Sequence, residues 1–85
     1  MKKLQTGTVY YVVTSTELSN EDNLSYTAYG IAAFCITKED AVKMDQITDV
    51  STNFHLVHNM VEDFNRYDLH LEHFRDVVYD IICSQ

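Results

Sequence analysis

The hydrophobic pattern of this chain changes period once, near residue 49, and that change limits the available folds more than any other feature. Before it, residues 8–17 read TVYYVVTSTE and residues 24–36 read LSYTAYGIAAFCI, both rich in the β-branched and aromatic types that suit a pleated surface. After it, apolar residues recur at helical spacing: Phe54, Val57, Val61 and Phe64, then Leu71, Phe74, Val78 and Ile81. Alternation places side chains on opposite faces of a strand, whereas a period of about 3.6 gathers them into one stripe along a helix. Strands first and helices last describe an α+β chain.

The turn signals order these pieces. Residues 19–23, SNEDN, carry turn-forming side chains and predict an antiparallel hairpin with a loop of about five residues. In the second strand Leu24, Tyr26, Ala28, Gly30, Ala32, Phe34 and Ile36 share one face, and the residues between them share the other. Gly30 in mid-strand predicts a bulge or a helix packed close to the sheet. A turn over 37–40 leads to a shorter third strand over 41–47, carried by Val42, Met44 and Ile47. Ser51 or Thr52 can cap the first helix, which ends near Asn65. After a connector over 66–69, the second apolar stripe, widened by Val77 and Ile82, runs to the end of the chain. The expected architecture is a three-stranded antiparallel β-meander followed by a two-helix hairpin packed on one sheet face. With 85 residues, a single domain over 1–85 is all the chain can hold.

Four segments in these elements, YYVVTSTE, YTAYGIAAF, ITDVSTN and HFRDVVYDII, resemble a family of small Firmicutes proteins grouped as a domain of unknown function. The resemblance spans residues 10–82 and is most specific at Tyr29-Gly30-Ile31, Asp49-Val50-Ser51 and the run from His73 to Val78. The family's pattern has a Pro at the first turn of the last helix; Leu71 stands there in this chain, leaving Asp68 or His70 as candidate caps. The resemblance implies a fold and no activity.

Charge narrows the classes of partner. Thirteen acids against six bases give a net charge of −7, a field that repels phosphate backbones and anionic lipid and favours a basic partner. No apolar run approaches the ~20 residues of a membrane helix. Met1-Lys2-Lys3 is similar to a signal-peptide start, but Gln5, Thr6, Gly7 and Thr8 interrupt the apolar stretch and no cleavage site appears, so the expected location is cytoplasmic. Cys35 and Cys83 are too few and too far apart for a disulfide scaffold, and are expected as buried free thiols.

Motifs for chemistry are weak. Two HxxH pairs, His55/His58 and His70/His73, could each bring two ligands to one metal, but the Glu of an HExxH motif is missing, and the expected metal and cofactor complement is none. No nucleophile adjoins a base, and two glycines cannot build a phosphate cradle, so no enzyme is expected. The acids are more informative. Glu72, Asp76 and Asp80 recur at i, i+4 and i+8, predicting one acidic stripe on the second helix, with Arg75 placed to relieve it. Residues 51–85 hold six acids against Arg66 and Arg75. Tyr67 and Tyr79 flank this region, and tyrosine is enriched at interfaces. The expected function is a non-catalytic interaction module whose helical surface, Glu62, Asp63, Tyr67, Glu72, Asp76, Tyr79 and Asp80, binds a basic surface of a partner protein. Where that partner is a nucleic-acid-binding enzyme, the module is a stoichiometric inhibitor of the phage anti-restriction or anti-CRISPR type. The alternatives are a metal-responsive regulator using the HxxH pairs, and a homodimer or larger homo-oligomer through an uncovered sheet face or edge.

Overall fold

The computed structural model describes residues 7–84; the signal-like start at Met1 to Lys3 lies outside them. Three strands, β1 (Thr8–Ser19), β2 (Ser25–Ile36) and β3 (Ala41–Ser51), form an antiparallel sheet in sequence order. Helix α1 (Phe54–Arg66), a 3-10 turn (Leu71–His73) and helix α2 (Phe74–Cys83) complete the chain. This is the expected α+β order.

The first hairpin closes on Asn20. Its side-chain Oδ1 accepts from the N–H groups of Asp22 and Leu24 at 2.9 and 3.1 Å, and Asn23 adopts φ 63°, which Asn tolerates better than most residues. The second turn closes on Thr37, whose Oγ1 accepts from Glu39 and Asp40 N–H. Strand β3 is longer than its expected span of 41–47, and it reaches Ser51 by breaking register twice against β2. One irregularity falls at Gly30, as expected, but β3 comes close there and not a helix. A Cβ at Gly30 would meet Ile47 O and stand 2.9 Å from Thr48 Cα. Because β3 continues through Ser51, the helix cap moves to Asn53, whose side chain accepts from Leu56 N–H at 3.2 Å.

Both helices lie on the face formed by Val9, Tyr11 and Val13 of β1 and Tyr29, Ile31 and Ala33 of β2. Val57, Met60, Val61 and Phe64 of α1 and Phe74 and Val78 of α2 complete the core. Phe54 departs from its expected core place: it is 42 % exposed, edge-on to Tyr29 and stacked on His58, while Met60 one turn from Val57 is buried instead. The cysteines also differ from expectation. Both are free, Cys35 is half-buried and Cys83 is exposed, because position 83 falls beyond the inward stripe of Phe74 and Val78.

Tyr11 is the hub. It is 1 % exposed and meets Phe64 and Phe74 with ring centroids 5.5 and 5.2 Å away, and its hydroxyl donates to Leu69 O at 2.7 Å. On the open edge of β1, the Tyr11 N–H donates to Asn65 Oδ1 at 2.8 Å and Asn65 Nδ2 donates to Tyr11 O at 2.9 Å. One side-chain amide thus takes the place of a neighbouring strand at this point.

Candidate functional site

The expected binding residues all lie at the surface. Glu62 and Asp63 occupy the last turns of α1, where Glu62 faces His58 at 3.5 Å and Asp63 faces Arg66 at 3.8 Å. Tyr67 caps α1 and is 73 % exposed, with the Arg66 guanidinium 5.9 Å from its ring centroid. Asp76, Tyr79 and Asp80 project from α2 on the side away from Phe74 and Val78.

The rings of Phe64 and Phe74 meet edge-on at 6.3 Å and pin the end of α1 against the start of α2. Glu62, Asp63, Tyr67, Glu72 and Asp76 are all exposed on the elements to either side of this contact, with Glu62 and Asp76 two positions from the contacting rings and so turned away from them, and Tyr79 and Asp80 lie a turn further along α2. Asp68 joins them from the connector at φ 52°. The single helical stripe expected for Glu72, Asp76 and Asp80 is not what forms. Residues 71–73 make a 3-10 turn and α2 starts at Phe74 without a side-chain cap, so Glu72 stands outside the helix, next to His73 at 3.9 Å.

Arg75 does not relieve these acids either. It turns to the sheet, where its Nε and Nη2 donate to the two carboxylate oxygens of Asp45 at 2.9 and 2.6 Å, and Nη2 also reaches Gln46 O at 3.3 Å. The hydrogen bond from Arg75 holds the Asp45 carboxyl below the usual carboxylate range, against a smaller opposing effect of burial. The bidentate pair ties α2 to β3 and leaves Asp76 and Asp80 without an ion pair among the described residues.

The histidines remain in pairs. His55 and His58 both lie against the Phe54 ring, and the rings of His70 and His73 stand 6.3 Å apart. Among the described residues no group of three or more His, Cys, Asp or Glu is arranged to hold a metal ion. An open cleft of about 280 Å³ lies between the start of β1 and the connector, lined by Thr8, Val9, Asp68, Leu69, His70 and Leu71. Sequence reasoning missed the Tyr11–Asn65 pairing beside this cleft. The available signal was a polar amide at a position continuous with the buried helix stripe, next to Phe64.

The architecture defines the class: a small α+β protein with three antiparallel strands and two C-terminal helices. The chain belongs to a family of unknown function, DUF6514, whose model matches residues 2–84. No curated protein and no solved structure matches it. Among the described residues, no helix is long and apolar enough to cross a membrane.

Proposed function

We propose that this protein is a non-catalytic interaction module that docks the acidic surface around the α1–α2 junction onto a basic surface of a partner protein. The observation that carries this reading is the exposure of six carboxylates and Tyr67 along α1, the connector and α2, while Arg75, the cation nearest in sequence to Asp76, is turned away to Asp45. Clustered exposed charge of one sign steers encounter with the opposite sign. Where the basic surface is one that holds nucleic acid, the module occupies it as a stoichiometric inhibitor, of the kind directed against restriction or CRISPR nucleases.

The test uses the full chain and a Glu72→Gln, Asp76→Asn, Asp80→Asn triple variant, both immobilised and exposed to host lysate. The expected capture by wild type is a basic protein that DNA or RNA displaces. Its association should be slower with the triple variant and less dependent on salt, since exposed charges are screened over about 8–10 Å at ordinary ionic strength. Equal rates and equal salt slopes for the two chains would return these acids to a role in solubility.

A further inference from the structure

The two edges of the sheet are finished differently. Strand β3 breaks register twice and carries Lys43, Asp45 and Asp49, and bulges and charges of this kind keep a foreign strand from adding to an edge. Strand β1 pairs with β2 without a break over its twelve residues and has no charge, bulge or Pro between Thr8 and Thr16. Alternate residues of an antiparallel strand turn their backbone groups to the same side. Since the Tyr11 N–H and C=O are turned outward to Asn65, those of Val13, Ser15 and Glu17 are turned outward too, and no turn or side-chain hydrogen bond of the described residues reaches them. Helix α1 walls this edge on one side. Asn65 reaches β1 from one flank of α1, and His58 and Glu62, seven and three positions before it, share that flank 3.5 Å apart. Odd-numbered residues of β1 face α1, as Tyr11 does, and Glu17 is exposed on the same side of the sheet.

We infer that the β1 edge from Val13 to Glu17 receives an extended basic segment of a partner protein as a fourth, antiparallel strand. In this mode main-chain pairing supplies affinity and alternate side chains supply specificity. Asn65 sets the register: its amide already fills the place beside Tyr11, so an added strand stops short of it at Val13. Charge selects the occupant. Strand β1, its turn and α1 as far as Asn65 hold Glu17, Glu21, Asp22, Glu62 and Asp63 and no Lys or Arg. An antiparallel strand turns the side chains opposite Val13, Ser15 and Glu17 to the helix side, where Lys or Arg is drawn to Glu17 and Glu62. A second copy suits the edge less well. Pairing β1 with β1 about Ser15 sets Tyr11 opposite Ser19 of the copy, whose Glu21 and Asp22 then approach Glu62. Glu62 also belongs to the proposed docking surface, so strand addition gives that reading a form of partner and rests on it for the partner being a basic protein.

The probe is a capped peptide of about seven residues alternating lysine and threonine, long enough at ~3.3 Å per residue to cover Val13 to Glu17. Titrated into the full chain and followed by amide NMR, it should shift the N–H signals of Val13, Ser15 and Glu17 and slow their hydrogen exchange, while the Tyr11 N–H, already paired, keeps its exchange rate. N-methylation of the lysines, whose N–H groups face β1 in this register, should weaken binding at least about tenfold, and N-methylation of the threonines should not. Ser15→Pro removes one outward N–H without touching the β2 ladder and should weaken the peptide in the same way. Should that variant fail to fold, the two methylated peptides decide the matter on the wild-type chain. Glutamate in place of the lysines should abolish binding. No response of the three amides at about 1 mM peptide overturns the inference. So does equal binding of the lysine-methylated peptide, which would mean attraction by charge alone, and so does protection that grows with the concentration of the protein by itself, which would make a second copy the occupant. Lysate capture through Glu72, Asp76 and Asp80 depends on none of these results, so the two readings fail separately.

Discussion

At the scale of single residues, the molecule turns on Tyr11. Its ring fills the space between Phe64 and Phe74, its hydroxyl satisfies Leu69 O, and its backbone is paired by Asn65. Tyr11→Phe keeps the ring and removes only the donor, so it should cost about 0.5–1.5 kcal/mol, read as a lower urea midpoint at unchanged slope. The same residue sets an alkaline limit. Burial raises the Tyr11 phenol above its ordinary pKa of 10.0. The folded state therefore favours the neutral form, and its contribution is complete below the unfolded value and lost as pH rises through the range between the unfolded and the higher folded pKa. Wild type should lose stability above about pH 10 more steeply than Tyr11→Phe in matched urea titrations. Parallel curves for the two proteins would mean that the hydroxyl is exchanged for water without loss.

At the scale of elements, two joints hold the sheet to its neighbours. The first is the close passage of β3 over Gly30, where a methyl group would collide with the Ile47 carbonyl and the Thr48 backbone. Since backbone atoms cannot swing aside as a side chain can, Gly30→Ala should cost about 1–3 kcal/mol despite its better intrinsic strand conformation. A melting temperature equal to wild type would show that the bulge shifts freely. The second joint is Arg75 to Asp45. The Asp45 carboxyl titrates below its ordinary value of 3.8 because Arg75 hydrogen-bonds its charged form. A depressed acid contributes stability that is present above the unfolded pKa and lost as pH falls through the folded one. Arg75→Ala should thus flatten the acid limb of the stability curve below about pH 4 and bring Asp45 back toward the ordinary range, which carboxyl chemical shifts would report directly. An unchanged Asp45 titration would assign its shift to Gln46 N–H alone.

At the scale of the whole molecule, the distribution of charge separates what folds the chain from what it presents outward. Asp76 lies in the first turn of α2, where the helix dipole favours an acid, and Asp80 lies in the last, where it does not. Each effect is worth about 0.3–1 kcal/mol with opposite sign, and the Asp76–Asp80 repulsion adds only about 0.2–0.5 kcal/mol. The Glu72→Gln, Asp76→Asn, Asp80→Asn variant should therefore melt within a few degrees of wild type, as monitored by circular dichroism. A collapse of the fold in that variant would place the acids in the structure's own stability and remove them from the proposed docking surface.

The sequence by itself determined the element order, the antiparallel hairpin, the helical faces centred on Val57, Phe64, Phe74 and Val78, and the bulge at Gly30, because each arises from local periodicity or the absence of a Cβ. It also placed Tyr67, Tyr79 and the acids at the surface, since they lie off the apolar stripes. Tertiary structure decided the rest. The reach of β3 to Ser51 depends on register breaks against β2, the outward position of Phe54 on that longer strand, and the turn of Arg75 on Asp45, which lies thirty positions away along the chain. The Tyr11–Asn65 pairing joins residues 54 positions apart. Periodicity records which face a side chain occupies, and it carries no record of which distant backbone will need a partner once the faces have met.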